Sequence, residues 1–77
     1  MEDVIVYNIN DKKYLLSNEI ELNQNKYLYL SNLNNPRDII LRKIHIYENN
    51  EYLVRLNDDE FVEVMNNFYE KNKNLFN

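Results

Sequence analysis

The chain of 77 residues contains no Gly, Cys or Trp, no Ala or Thr, and only one Pro and one His. Without Cys it can form neither a disulfide nor a Cys-ligated metal site. Without Gly it lacks the flexible loops that bring backbone N–H groups close to a phosphate. No apolar run approaches the roughly 18 residues of a membrane-spanning helix. These absences argue against thiol chemistry, a nucleotide-binding loop and a helical anchor.

What is present is acidic and rich in tyrosine. Hydrophobic residues make up 44% of the chain, seven residues are Tyr, and the net charge is −4. This length is sufficient for a single small domain, which we expect to span residues 1–77. The acidic start, Met1-Glu2-Asp3, differs from the basic start of a secretory signal, so we expect a cytoplasmic protein of a bacterial cell or a phage-infected host.

The first three-quarters of the chain alternates short β-prone segments with Asn-containing turns. Asn is the residue after Gly that best tolerates a positive φ, so it should serve the turns of a chain without Gly. Short connections favour antiparallel neighbours, and therefore a meander over about residues 4–56. The strands are predicted near Val4–Ile9, Tyr14–Leu22, Lys26–Leu33, Asp38–Tyr47 and Tyr52–Leu56.

The alternation of apolar residues also predicts two registers. In the last hairpin, a three-residue loop from Asn49 to Glu51 pairs Ile46 with Val54 and keeps apolar residues on one face. In the second hairpin, a three-residue loop opposes Ile20 to Leu28. The tyrosines at 27 and 29 then lie on the face away from the helix described next.

The C-terminal segment changes to a helical period. Asn57 and Glu60 match a capping box, and Leu56 and Phe61 occupy the positions of a hydrophobic staple. An amphipathic helix over about residues 58–72, with a frayed C-terminus, should bury Phe61, Val64, Met65 and Phe68. The predicted fold class is therefore α+β: an antiparallel four- or five-stranded β-meander with one C-terminal amphipathic helix.

Residues capable of catalysis are few and dispersed. His45 has neither a second His nor a Cys as partner, and Ser17 and Ser31 lack a Gly elbow and an identifiable base. We therefore expect no catalytic residue, no cofactor and no metal site. Arg37, Arg42, Lys43 and Arg55 lie near the tyrosines of the sheet, which leaves open a small RNA-binding module. The net negative charge argues against nucleic acid.

Apolar residues on both faces of the strands are the most informative feature. One helix can cover only one face of a small sheet, so the second face is either an exposed interaction patch or is buried by curling of the sheet into a half-barrel. We leave both alternatives open. If the patch is exposed, we expect Tyr27, Tyr29, Tyr47 and Leu53 to contact a partner. The acidic residues Asp58, Asp59 and Glu63 form a second candidate partner-binding group.

Three segments carry a resemblance to a known group of proteins. Asn25–Leu30 (NKYLYL), Glu51–Val54 (EYLV) and Asn57–Val64 (NDDEFVEV) resemble segments of small acidic proteins of unknown function from low-GC Gram-positive bacteria and their phages. The resemblance implies a β-meander followed by an acid-capped helix, and it implies no catalytic residue. In size and acidity the chain is also similar to small phage-encoded inhibitors, including anti-CRISPR proteins.

These observations give three functional hypotheses. The first is a non-enzymatic acidic protein-binding module, such as a phage or mobile-element inhibitor that occupies a basic surface on a host protein. The second is a self-associating bacterial protein whose homodimer buries the open sheet face. The third is the RNA-binding module. None of them requires a cofactor or a membrane.

Overall fold

The computed structural model describes residues 4–76, and side chains are described for residues 4–71. It contains one five-stranded antiparallel sheet, in which each strand pairs with the next, followed by one helix. The α+β meander with a C-terminal helix is therefore confirmed. The elements are β1 (Val6–Ile9), β2 (Lys12–Leu22), β3 (Asn25–Asn32), β4 (Ile39–Tyr47), β5 (Asn50–Val54) and α1 (Asp58–Phe76).

Three of the hairpins turn through two residues, both with positive φ. The φ angles are 51° and 64° at Asn10-Asp11, 53° and 68° at Asn23-Gln24, and 49° and 65° at Glu48-Asn49. A type I′ hairpin turn requires positive φ at both central positions. One Asn stands in each pair, as expected for a chain without Gly. The expectation of three-residue loops in the second and last hairpins is wrong, because a second, non-Asn residue also adopts the left-handed conformation.

The shorter turn changes the register of the second hairpin. Ile20 faces Tyr27, and not Leu28 as predicted. A shift of one residue exchanges the two faces of a strand. The predicted placement of Tyr27 and Tyr29 away from the helix is therefore wrong, and both lie beneath α1.

The last hairpin differs from the prediction in the same way. Ile46 faces Glu51 instead of Val54, and Ile44 faces Leu53. Since the observed register differs from the predicted one by an odd number of residues, the faces of β4 are exchanged relative to β5, and Ile44 lies on the side opposite the helix. Leu53 lies on the same side, as predicted.

A β-bulge at Ser17 divides β2 between the two faces of the sheet. The register shifts around this residue, whose hydroxyl lies 2.8 Å from the Ser31 hydroxyl. Tyr14, before the bulge, joins the cluster away from the helix, whereas Ile20, after it, contacts the helix-side cluster. A single strand thus supplies both cores, because one extra residue reverses the alternation.

The start of α1 has the predicted capping box. The Asn57 side-chain oxygen accepts a hydrogen bond from the Glu60 N–H (2.8 Å), and the Asn57 N–H donates to Glu60 Oε1 (3.3 Å). These reciprocal bonds satisfy donors that a helix start leaves without partners. The helix continues to Phe76, past the expected end near residue 72, and Asn77 lies outside the described residues.

The second face of the sheet is buried by the sheet itself. Leu28 and Leu30 on the central strand are only 1% and 0% exposed, although α1 lies on the other face. Partly buried residues from β1 and from β5 contact the same cluster, as the curling of the sheet into a half-barrel requires. Of the two alternatives for this face, the structure therefore shows the curled sheet. Within residues 4–76, no helix is both long and apolar enough to cross a membrane.

Candidate functional site

The four sheet residues predicted to contact a partner do not form one surface. Tyr27 is 4% exposed beneath α1, and the Tyr29 ring packs against Phe68 at a centroid distance of 5.3 Å. Tyr47 is exposed beside the β4–β5 turn, whereas Leu53 is half-buried on the opposite face. The predicted aromatic patch is therefore absent from the described surface, because its two central tyrosines belong to the core.

The acidic residues predicted to contact a partner are accessible. Asp58, Asp59 and Glu63 are all exposed on the first turns of α1. Glu60, between them, points in the other direction and is largely covered. Three of the four carboxylates in this segment are thus presented outward, and the fourth attaches the helix to the sheet.

Glu60 is the centre of a small polar cluster at the base of the helix. Its Oε2 atom lies 2.9 Å from Lys43 Nζ and accepts a hydrogen bond of 2.9 Å from the Tyr27 hydroxyl. The hydrogen bond from Lys43 is the main cause that lowers the pKa of Glu60, and the bonds from Tyr27 and from the Asn57 backbone add to it. Burial, together with the Glu60 carboxylate, raises the pKa of Tyr27. The cluster attaches the first turn of α1 to β3 and β4.

A second polar contact holds the helix farther along. Lys71 Nζ donates to the Glu19 carbonyl oxygen (2.6 Å) and to Asn18 Oδ1 (3.1 Å), both on β2. Between the two contacts, Val64 and Phe68 pack into the core. The helix is therefore attached to β4 near its start and to β2 near Lys71. These contacts hold its outward face in a fixed position relative to the sheet.

That outward face carries an apolar stripe that the sequence analysis missed. Val62 and Tyr69 are 58% and 52% exposed, and Phe61 and Met65 are also exposed. At about 100° per residue, all four lie within roughly 100° of the helix circumference. We call this stripe, with the exposed carboxylates beside it, the outer helix surface: Phe61, Val62, Met65, Tyr69, Asp58, Asp59 and Glu63.

The prediction that Phe61 and Met65 are buried with Val64 and Phe68 is therefore wrong. The inward face of the helix begins with Glu60 and continues through Val64 to Phe68, so it is rotated away from the predicted face. A signal was present in the sequence. Val62 and Tyr69 do not fit a helix with a single apolar stripe, since they fall on the side expected to be polar.

The basic residues of the sheet are divided between its faces. Lys43 lies on the helix side with Glu60, whereas Arg42, its neighbour on β4, lies on the other side opposite Leu28. The buried Tyr27 and half-buried Tyr29 cannot offer the open stacking surface that single-stranded RNA requires. Of the three tyrosines on which the RNA hypothesis depended, Tyr47 alone is exposed.

The structure does not bring the three residues considered for catalysis into one group. The Ser17 and Ser31 hydroxyls bond to each other, and His45 is exposed on β4 opposite Tyr52. In the described part of the chain, no group of three His, Cys, Asp or Glu side chains could hold a metal ion.

Asp38 is the acceptor of a further polar network at the β3–β4 connection. Its Oδ2 atom accepts hydrogen bonds from the Tyr14 hydroxyl (2.7 Å) and from the Asn32 side-chain amide (3.1 Å). The bond from Asn32, followed by that from Tyr14, lowers the pKa of the Asp38 carboxyl. The carboxylate in turn raises the pKa of Tyr14. Asn32 is buried, and this network satisfies its amide, so its role is structural.

Comparison with known proteins adds no relative: no family model, curated protein or solved structure matches the chain. The resemblance to small acidic proteins of low-GC Gram-positive bacteria and their phages therefore stays a prediction.

Proposed function

We propose that this protein is a non-enzymatic protein-binding module and that it binds through the outer helix surface. The observation that supports the proposal is the exposed stripe of Phe61, Val62, Met65 and Tyr69 on a helix whose other side is already buried. Four exposed apolar side chains on one helix exceed the single exposed residues that a protein surface normally carries. Val62 and Tyr69 belong to neither core cluster, so burial in the fold does not account for their apolar side chains, whereas a binding partner would.

The chemistry of this surface indicates the kind of partner. An apolar helix face binds an apolar groove, with aromatic and large aliphatic side chains as anchors. Asp58, Asp59 and Glu63 beside the stripe favour basic residues at the rim of that groove. Such rim charges increase the association rate and fix orientation more than they increase affinity. Because Lys43 and Lys71 hold the helix in place, little ordering is needed on binding.

We further propose a cytoplasmic setting and an inhibitory role of the kind played by phage-encoded anti-CRISPR proteins. Both rest on the size, acidity and composition of the chain. In such a role the small acidic domain would cover a basic surface on its target.

Affinity capture from a bacterial lysate with matched variants tests the proposal. The Val62→Ser/Tyr69→Ser double variant should lose the captured protein, and Asp59→Asn/Glu63→Gln should make capture weaker and less dependent on salt. The control is Tyr47→Ser/Tyr52→Ser, which removes two exposed aromatics from the sheet. Equal capture by the first and the control variants would refute the outer helix surface as the binding site.

Self-association is a second candidate, and it is favoured by one observation. Val4 is 70% exposed, and Ile5 and Val6 are also exposed, at the start of the edge strand β1. Residues 4–10 carry no charge and no Pro, so this edge lacks the usual protection against pairing with another strand. A homodimer would then pair β1 edges, since the second sheet face is already buried. Sedimentation of wild type and Ile5→Lys would detect it: a dimer that persists in the variant contradicts edge pairing.

A further inference from the structure

A small cavity opens where the chain leaves the sheet to enter the helix. Strand β5 pairs with β4 only as far as Val54 opposite Lys43, so the first residues of β4 have no strand on their outer side within the described chain. The cavity, of about 240 Å³, lies in this gap. It is lined by Ile39, Ile40, Leu41, Arg42, Arg55, Leu56 and Phe61.

The charge of this cavity is not balanced. Its lining includes two arginines and no acidic residue. A larger cavity, of about 410 Å³, has balanced charge, because two glutamates accompany two lysines around one isoleucine: Glu19, Ile20, Glu21, Lys26 and Lys71. The cavity is therefore a local concentration of positive charge in a protein that has 13 acidic residues and a net charge of −4.

The contacts of Arg42 and Arg55 confirm the imbalance. Arg42 donates one hydrogen bond, from Nη1 to the Leu41 carbonyl oxygen at 2.8 Å, which leaves most of its five N–H donors for other partners. Among the side chains of residues 4–71, the one salt bridge joins Lys43 to Glu60 and involves neither arginine. Burial and the positive charge of Arg55 both lower the pKa of Arg42, and the Tyr14 phenol opposes this effect.

Of the acidic groups close to the two arginines along the chain, Asp38 and Glu60 are already committed, and Glu51, Asp58 and Asp59 are exposed outside the cavity lining. Asp38 accepts from Tyr14 and Asn32, and Glu60 accepts from Lys43 and Tyr27. The two arginines thus repel each other across a cavity that is partly walled by apolar side chains. An anion placed between them would remove that repulsion.

We propose that this cavity binds an oxyanion, a carboxylate or a phosphate group, between Arg42 and Arg55. The planar guanidinium fork matches both groups through paired N–H···O bonds. The volume equals about eight water molecules at ~30 Å³ each, below the ~300 Å³ of the smallest typical ligand pockets, so it suits an ion or one acidic group and not a cofactor. The site goes beyond the proposed function, because Phe61 is the one lining residue that belongs to the outer helix surface.

The test uses the intact chain and two probes, inorganic phosphate and acetate, with chloride at equal ionic strength as the reference. NMR titration should show saturable shifts of the Arg42 and Arg55 Nε–Hε signals with phosphate, with acetate or with both. Saturation by either probe supports the site, and the comparison tells tetrahedral from planar ligands. Failure of both probes to saturate these signals would overturn the proposal.

Matched variants distinguish a specific anion-binding site from a general attraction of anions to positive charge. Arg55 is exposed, so Arg55→Gln should fold, and it should weaken binding by about tenfold or more because a charged hydrogen bond is lost. Arg55→Lys should restore part of the affinity. Arg37→Gln removes the same charge outside the cavity lining and should change affinity less than twofold. Equal weakening by Arg37→Gln and Arg55→Gln, or unchanged binding by Arg55→Gln, would refute the site.

The proposed function can fail independently of this site. If Val62→Ser/Tyr69→Ser retains its binding partner but Arg55→Gln loses the anion, the outer helix surface is wrong and the cavity stands. The reverse result would overturn the anion site alone.

Discussion

Phe68→Ala tests whether the helix is an integral part of the fold. Phe68 is 3% exposed, packs in the helix-side cluster with Tyr27, Leu41 and Val64, and makes a tilted ring contact with Tyr29. Replacing a buried Phe by Ala typically costs about 3–5 kcal/mol, because apolar burial is lost and a cavity remains. Since globular proteins have about 0.05–0.15 kcal/mol of stability per residue, a chain of this length has roughly 4–12 kcal/mol in total. The variant should therefore lose a large part of its stability.

Thermal unfolding followed by circular dichroism measures the effect. In a domain of this size 1 kcal/mol corresponds to roughly 4–8 °C, so Tm should fall by more than about 10 °C. Phe61→Ala is the matched control, because this residue has the same side chain on the same helix but is 47% exposed. It should cost less than about 1.5 kcal/mol, half the lower limit for a buried Phe. If the two variants had the same Tm, α1 would not be docked through Phe68.

Three further predictions concern individual contacts. The pKa of Glu60 is lowered in the folded state, mainly by Lys43. The carboxylate therefore stabilises the fold above the unfolded pKa near 4.3, and this stabilisation is lost as the pH falls through the folded pKa. Urea titrations should show that Glu60→Gln is less stable than wild type at pH 7 and that the difference in stability narrows below about pH 4. Asn57→Ala removes the helix cap and should lower the free energy of unfolding by about 1 kcal/mol, whereas Asn57→Ser should retain most of it; equal stability of the two would contradict the capping role. Gln24 has φ 68°, so Gln24→Gly should raise stability by up to about 1 kcal/mol and Gln24→Val should lower it; denaturant unfolding that ranks Val above Gly would refute the left-handed turn.

The element order and the helix start could be predicted because their signals are local. A capping box needs only Asn57 and Glu60, and its hydrogen bonds form as the spacing requires. The meander followed from short connections between β-prone segments. The strand faces could not be obtained in this way, because the face depends on an exact count of turn residues. Gln24 and Glu48, which carry no strong turn preference, adopt positive φ and make the turns one residue shorter than predicted.

The division of β2 between two core clusters could not be predicted for a related reason, the bulge at Ser17. Tyr14, Leu16, Ile20 and Leu22 occupy even positions of one strand, so alternation assigns all four to one face. The extra residue at 17 divides them between the two clusters. A useful signal lay in the next strand, whose continuous apolar run from residue 27 to 30 is typical of a strand buried on both faces.

The candidate sites became visible only when the core was known. The sheet buries its second face by curling, and α1 covers the first through Val64 and Phe68. Tyr27 and Tyr29, which were predicted to contact a partner near the middle of the sheet, are part of the core instead. Exposed apolar residues remain at the start of β1, on the last hairpin and on the helix, where Val62 and Tyr69 belong to neither core cluster.

The charged residues of the helix also indicate the outer helix surface. Glu60 and Lys71 are used to attach the helix, so the carboxylates of Asp59 and Glu63 are left to face outward. Under the proposed function, Glu60 holds the helix in place while Asp59 and Glu63 guide the partner, so the two tasks belong to different side chains of the same turns. This division allows binding residues to be changed without loss of the fold. Under the proposed function, the helix serves as core element and as recognition element at once, since the two tasks use adjacent faces of one cylinder.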